Sequence, residues 1–102
     1  MTTEDVIYEL FYRVDEEMLD VKKEAHEHLY PSEVVTLGML FALKGVGNRA
    51  FYRWIARDYR HLFPGLPERT RLFRDFNEHE DLTERFMAEP SLIGSSAIFR
   101  GG

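Results

Sequence analysis

The feature that most constrains the fold of this chain is an apolar segment, VVTLGMLFAL at residues 34–43, which lies between Pro31 and Gly45. Proline suits the first turn of a helix, where its missing N–H is no loss. Glycine suits the left-handed conformation that ends a helix. The segment therefore predicts the most buried helix of a globular domain. Within it, Gly38 indicates the close approach of another backbone, because glycine otherwise weakens a helix.

No apolar run reaches the roughly 18 residues that a membrane span needs. The N-terminal residues, MTTEDVIYELFYRVDEE, lack the basic and apolar regions of a signal peptide. We therefore expect a cytoplasmic protein with no membrane contact. The sequence has no cysteine, which excludes disulfides and thiolate metal sites. Its 102 residues, of which 44% are apolar, suit one domain with one modest core.

The N-terminal segment, residues 3–28, predicts a first helix that precedes the apolar one. Thr2 or Thr3 can cap its start, and the acids that follow suit the positive end of the helix dipole. Its apolar residues recur every three or four positions and so share one stripe. This stripe comprises Val6, Ile7, Leu10, Phe11, Val14 and Met18.

Three further helices are predicted after the apolar one. A Gly47-Asn48 turn leads into the third, with Asn48 as its N-cap, and Pro67 marks the first turn of the fourth. The fifth covers residues 81–88, with Leu82 and Phe86 facing inward. We therefore expect an all-α fold, a single small domain of four to five helices over residues 1–90, followed by a mobile tail over residues 91–102.

Charge is unevenly distributed along the chain, whose formal net charge is −5. Residues 1–33 hold ten acidic and three basic side chains, and residues 75–102 hold six acidic and two basic ones. The middle, residues 34–74, reverses this balance with eight Lys/Arg against two acids. A basic region inside an acidic chain is the electrostatic footprint of an anionic partner.

The basic side chains of the third predicted helix recur at the helical period. Counting about 100° per residue, four arginines fall within about 80° of one another. These are Arg49, Arg53, Arg57 and Arg60. The bulky apolar residues of the same segment, Phe51, Trp54 and Ile55, occupy the other side and are assigned to the core. The helix is therefore expected to pack on one face and to present positive charge on the other.

The second predicted helix, the GVGN turn and the third helix form a helix-turn-helix candidate. That motif lays its second helix in the DNA major groove, with residues near the helix start on base edges. Arg49 and Arg53 are the candidate base contacts, since arginine reads guanine bidentately. The candidate phosphate contacts are Lys44, Tyr52, Arg57 and Arg60. The alternative is a surface helix whose arginines pair with the acids of the first helix.

No other group of residues predicts catalysis or a metal site. His26 and His28 are two residues apart and diverge on a helix. Glu24 and His28 have a suitable spacing, but the sequence offers no third ligand. No serine lies in a nucleophile elbow, and GVG lacks the strand and the further glycine of a phosphate-binding loop. We therefore expect no metal, no cofactor and no small-molecule substrate.

Three blocks of the sequence are long and particular: SEVVTLGMLFALKG, GNRAFYRWIARDYRHLFPGLPERTRL and AEPSLIG. They resemble the N-terminal region of bacterial insertion-sequence transposases of the DDE class, and the resemblance covers roughly residues 4–94. It implies a helical, helix-turn-helix-like segment that binds the DNA of transposon ends. In that family the segment precedes an RNase H-like catalytic domain.

The same resemblance implies that this chain does not catalyse transposition. The first catalytic carboxylate of the family follows a segment like residues 91–94, whereas this sequence continues SSAIFRGG without an aspartate. On this interpretation, residues 91–102 are a remnant of a missing catalytic domain, and the chain is a truncated transposase that binds double-stranded DNA. The alternative is a helical protein-interaction module without DNA contact, which forms a homodimer or pairs with full-length transposase.

Overall fold

The computed structural model describes residues 2–18 and 29–88. Every secondary-structure element within these ranges is a helix, so the predicted all-α class is confirmed. The elements are α1 (Thr3–Glu17), α2 (Pro31–Lys44), α3 (Asn48–Asp58), a 3₁₀ helix (Arg60–Leu62), α4 (Arg69–Glu78) and α5 (Glu80–Met87). The expectations for residues 19–28 and for the tail, residues 91–102, lie outside the described residues.

A capping box starts α1, as the threonines near its start predict. The Thr2 hydroxyl accepts a hydrogen bond from the Asp5 backbone N–H at 3.1 Å, and the Thr2 N–H donates to the Asp5 carboxylate at 3.1 Å. These bonds hold the pKa of Asp5 below its ordinary value, the Thr2 N–H having the larger effect. The predicted apolar stripe faces the core, where Val6, Ile7, Leu10 and Val14 are buried.

The apolar helix α2 is the centre of the fold, and it packs against α1, α4 and α5. Its bounds agree with the prediction. Pro31 is its first residue, and the Tyr30 N–H donates to the Glu33 carboxylate at 2.9 Å. Gly45 ends the helix in the left-handed conformation, with a φ of 69°. The side chains of α2 are buried from Val34 to Leu40.

The close approach that Gly38 predicts is made by a side chain and not by another backbone. A Cβ atom on Gly38 would lie 3.2 Å from Oγ1 and 3.4 Å from Cγ2 of Thr83, which belongs to α5. The prediction of a backbone neighbour was therefore wrong, because the group closest to Gly38 is a side chain. Glycine at this position lets α5 pack closely on α2 through the Thr83 side chain.

A cluster of phenylalanines joins α3 and α4 to α2. The ring centroid of Phe41 lies 5.2 Å from that of Phe51 and 5.0 Å from that of Phe73. Phe73 and Phe76 are 4.9 Å apart on α4. Edge-to-face contacts of this kind contribute energy beyond the burial of area. They fix α3 and α4 in position over one end of α2.

Three helix starts differ in detail from the predictions. Asn48 is the first residue of α3 and not its N-cap, which is Gly47, and no side chain caps this helix. Pro67 lies before the N-cap of α4, Glu68, so it precedes the first turn. α5 begins one residue earlier than predicted. Its inward residues are Phe86, which is buried, and Leu82, which is half-buried.

Candidate nucleic-acid interface

The third helix, α3, has the two faces that its periodicity predicts. Phe51 and Ile55 are fully buried. Arg49, Arg53 and Arg57 are exposed on the other side. The helix is held in place by its apolar face, and its packing needs none of these three arginines.

The exposed arginines of α3 line one groove, which we call the arginine groove, with a volume of about 700 Å³. Its residues are Arg49, Tyr52, Arg53, Ala56, Arg57 and Arg69. Arg69 comes from the start of α4, so two helices supply the positive charge. Several guanidinium groups on one open concave surface suit an extended polyanion better than a small enclosed ligand.

One arginine of the groove is paired with a neighbouring carboxylate. The Arg57 Nε donates to Asp58 Oδ1 at 2.9 Å, and its Nη2 donates to Oδ2 at 3.1 Å. This bidentate bond raises the pKa of Arg57 and lowers the pKa of Asp58. Both side chains are exposed, so the pair contributes little to stability. Asp58 is the last residue of α3 and is exposed.

Tyr52 has an intramolecular partner. Its hydroxyl donates to the carbonyl oxygen of Pro67 at 2.7 Å, and its ring is half-buried. The sequence predicted a phosphate contact for this residue. In the structure the hydroxyl instead ties α3 to the segment that leads into α4, two residues before Arg69. Tyr52 therefore positions the two sides of the arginine groove relative to each other.

Two predicted contact residues lie away from the arginine groove. Helix α3 ends at Asp58, so Arg60 lies in the 3₁₀ helix, and the helical angle predicted for it was wrong. Lys44 is half-buried, with its Nζ 4.4 Å from the centroid of the Trp54 ring. Trp54 is itself half-buried at the edge of the core, 5.9 Å from the Phe51 ring. Neither basic residue shares a groove with Arg49 and Arg53.

A second groove, which we call the α4 groove, adjoins the first and has a volume of about 420 Å³. It is lined by Asn48, Arg69, Thr70, Phe73, Arg74 and Asn77. Arg69 belongs to both grooves. Arg69 and Arg74 belong to the basic middle of the chain, but no pattern in the sequence assigned them to a site. Their charge was the available signal, and the packing of α4 on α3 places them beside the predicted arginines.

The acids of α1 are not the partners of these arginines within the described ranges. In α1, Glu9 pairs with Arg13 at 2.7 Å. Glu4 lies 3.4 Å from His61 of the 3₁₀ helix. No ion pair between α1 and α3 is present among residues 2–18 and 48–58. The alternative of a surface helix neutralised by the first helix therefore finds no support in the part of the chain that the structure describes.

The described helices offer no candidate metal site. No three His, Asp or Glu side chains in residues 2–18 and 29–88 converge to hold a metal ion. Glu24, His26 and His28 lie outside those ranges. No described helix combines the length and the apolar character needed to cross a bilayer.

Comparison of the chain with protein-family models, with curated proteins and with solved structures gives no significant match.

Proposed function

We propose that this chain binds double-stranded DNA through α3, as the DNA-binding domain of a transposase that contacts transposon ends. The observation that carries the proposal is the exposed stripe of Arg49, Arg53 and Arg57 in one open groove. The transposase assignment rests on the three sequence blocks. The proposal gives the chain no catalytic step, since those blocks resemble the region that precedes the catalytic domain.

The dimensions and charge of α3 support this proposal. An α-helix with its side chains is about 10–12 Å in diameter. The DNA major groove is about 12 Å wide and admits one α-helix. Arg49 and Arg53, near the start of α3, face base edges in this arrangement, and Arg57 contacts phosphate. The preceding turn, at Gly45–Gly47, is exposed and leaves the start of the helix accessible.

The salt dependence of binding tests the proposal. Arg57, as a phosphate contact, contributes about −0.9 to the slope of log affinity against log salt. We expect the double variant Arg53→Ala/Arg57→Ala to flatten the slope by about 0.9, and to lose further affinity through the base contact of Arg53. Fluorescence anisotropy of a labelled duplex, titrated with the full chain between about 50 and 200 mM salt, measures this change.

A matched control is available on other helices. Arg13→Ala/Arg85→Ala removes the same net charge from α1 and α5, so its slope is expected to equal that of the wild type. Circular dichroism checks that both double variants are folded. Undetectable binding of the wild type at low salt would exclude DNA binding. An equal flattening of the salt slope in the control variant would show that the net charge of the chain, and not α3, governs the binding.

The alternative function, a protein-interaction module, is favoured by one observation. Tyr8 and Tyr12 lie one turn apart on α1 and are 55% and 65% exposed. Exposed aromatic side chains are typical of interfaces. Sedimentation of the chain separates the two functions. A dimer that Tyr8→Ser/Tyr12→Ser dissociates, together with no shift of duplex DNA, would favour the alternative.

A further inference from the structure

We propose that the DNA-contacting surface spans two helices, so that Arg69, Thr70, Arg74 and Asn77 of α4 hold the phosphates of one strand while α3 lies in the adjacent groove of the duplex. This inference rests on the proposed function, and it adds residues that a helix-turn-helix interpretation of α2 and α3 does not include. The observation that supports it is the position of Arg69, which lines both the arginine groove and the α4 groove. The two concave surfaces are therefore continuous.

The side chains of the α4 groove are suited to phosphate oxygens. Arg69 and Arg74 carry guanidinium groups, Thr70 a hydroxyl, and Asn48 and Asn77 amides. All of these can donate hydrogen bonds, and Ser/Thr/Asn side chains with arginines are the usual phosphate contacts of DNA-binding proteins. Arg74 and Thr70 are exposed, and Arg69 is half-buried. The groove therefore presents donors at its surface and not in an enclosed cavity.

The charged residues that line the two grooves are all basic. Among the described residues, no Asp or Glu lines either groove, although acidic residues outnumber basic ones, 18 to 13, in the whole sequence. A third groove, which shares Phe73 and Asn77 with the α4 groove, does contain carboxylates, those of Glu80 and Glu84. Asp58 borders the arginine groove through its pair with Arg57, so the positive potential is concentrated at Arg49, Arg53 and Arg69, where the two helices meet.

The relative position of the two helices is fixed before any ligand binds. The hydrogen bond from Tyr52 to the Pro67 carbonyl joins them at one end of the surface. At the other end, Phe73 of α4 packs against Phe41 of α2, 5.0 Å away, and Phe51 of α3, 6.5 Å away. Because both helices are held by the core, contacts from α4 orient α3 on the duplex at little cost in ordering.

The test compares the double variant Arg69→Ala/Arg74→Ala with the wild type in the anisotropy titration described above. Two lost phosphate contacts flatten the salt slope by about 1.8 and lower the affinity by roughly 60-fold at about 0.1 M salt, or roughly 8-fold for each contact. The charge-conserving variant Arg69→Lys/Arg74→Lys is expected to retain the slope. Arg69→Gln/Arg74→Gln repeats the measurement should the alanine variant not fold.

The outcomes separate this inference from the proposed function. If the wild type does not bind duplex DNA, the proposed function fails. If Arg53→Ala/Arg57→Ala weakens binding but Arg69→Ala/Arg74→Ala matches the control Arg13→Ala/Arg85→Ala, then α3 binds DNA alone and the two-helix surface is wrong. The two-helix surface is supported if the double variants of α3 and of α4 both lose affinity for duplex DNA while the control variant does not.

Discussion

Asp58 pairs with one of the proposed DNA contacts, the guanidinium group of Arg57. The bidentate hydrogen bond between them uses the same donors that Arg57 would present to a phosphate. The bond lowers the pKa of Asp58, whose carboxylate is ionised at neutral pH even without this shift. DNA must therefore compete with Asp58 for Arg57, and the native sequence weakens its own proposed interface at this residue.

We expect Asp58→Asn to strengthen DNA binding. The change removes one negative charge beside the arginine groove and releases Arg57 from a charged partner, so affinity rises by up to roughly 8-fold at about 0.1 M salt, the value of one phosphate contact. The same anisotropy titration measures it. Asp81→Asn, on α5, changes the net charge equally and serves as the control. An affinity that stays unchanged or falls in Asp58→Asn would argue against a phosphate contact at Arg57.

At the scale of the elements, the contact between α2 and α5 depends on the absence of a side chain at Gly38. Thr83 faces this glycine, and its hydroxyl donates to the carbonyl oxygen of His79 at 3.2 Å. That bond keeps the Thr83 side chain in a fixed rotamer over α2. A methyl group at position 38 would gain about 1 kcal/mol of helix propensity. It would also press against a side chain that resists displacement.

A double-mutant cycle should reveal this coupling. We expect Gly38→Ala to leave the free energy of unfolding nearly unchanged in the wild-type background, because propensity and crowding offset each other. In the Thr83→Ala background the crowding is absent, and the same substitution should stabilise the protein by about 1 kcal/mol. Urea denaturation of the four proteins gives the coupling energy. Equal effects in both backgrounds would show that Thr83 does not restrict position 38.

The helix bounds that the sequence predicted correctly depend on interactions within one turn. Pro31 lacks an N–H, and Gly45 accepts a positive φ, whatever surrounds them. The end of α3 is different, because no helix-breaking residue marks it. Tyr59 leaves the helix with a φ of −130°, and the chain then turns so that Phe63 and Leu66 are buried. This change of direction comes from tertiary packing, and it carries Arg60 away from the predicted stripe.

The candidate site shows the same division between local and tertiary information. Periodicity alone predicted that Arg49, Arg53 and Arg57 share one face of a helix. It could not place Arg69 beside them, because that proximity depends on a hydrogen bond between Tyr52 and Pro67, which lie fifteen positions apart. Nor could it show that Lys44 packs over Trp54, since their contact depends on the angle between α2 and α3.

At the scale of the whole molecule, one hydrophobic cluster contains residues of all five described α-helices. It extends from Val6 and Leu10 on α1, through α2, to Phe51, Leu72 and Phe86 on α3, α4 and α5. The charge, in contrast, is segregated: α1 carries mainly acids, and the proposed DNA surface on α3 and α4 is basic. A shared core therefore holds together surfaces of opposite sign.

The shared core predicts that the helices unfold together. Trp54, the one tryptophan of the sequence, reports on α3, while far-ultraviolet circular dichroism reports on all the helices. We expect the two urea transitions to coincide, with an m-value of about 1–3 kcal/mol/M. A tryptophan transition at clearly lower urea would instead show that α3 separates before the rest of the domain, and that the proposed DNA surface is not rigidly supported.

The open turn before α3 has a practical consequence for studying this protein. Gly47 has an ordinary φ of −70°, and a Cβ atom placed on it would meet nothing within 4 Å. The sequence contains no cysteine. Gly47→Cys therefore introduces a unique thiol, in an unstrained and open position, two residues before the first arginine of α3. A spin label or a photo-crosslinker attached there would lie at the mouth of the proposed interface and map what approaches it.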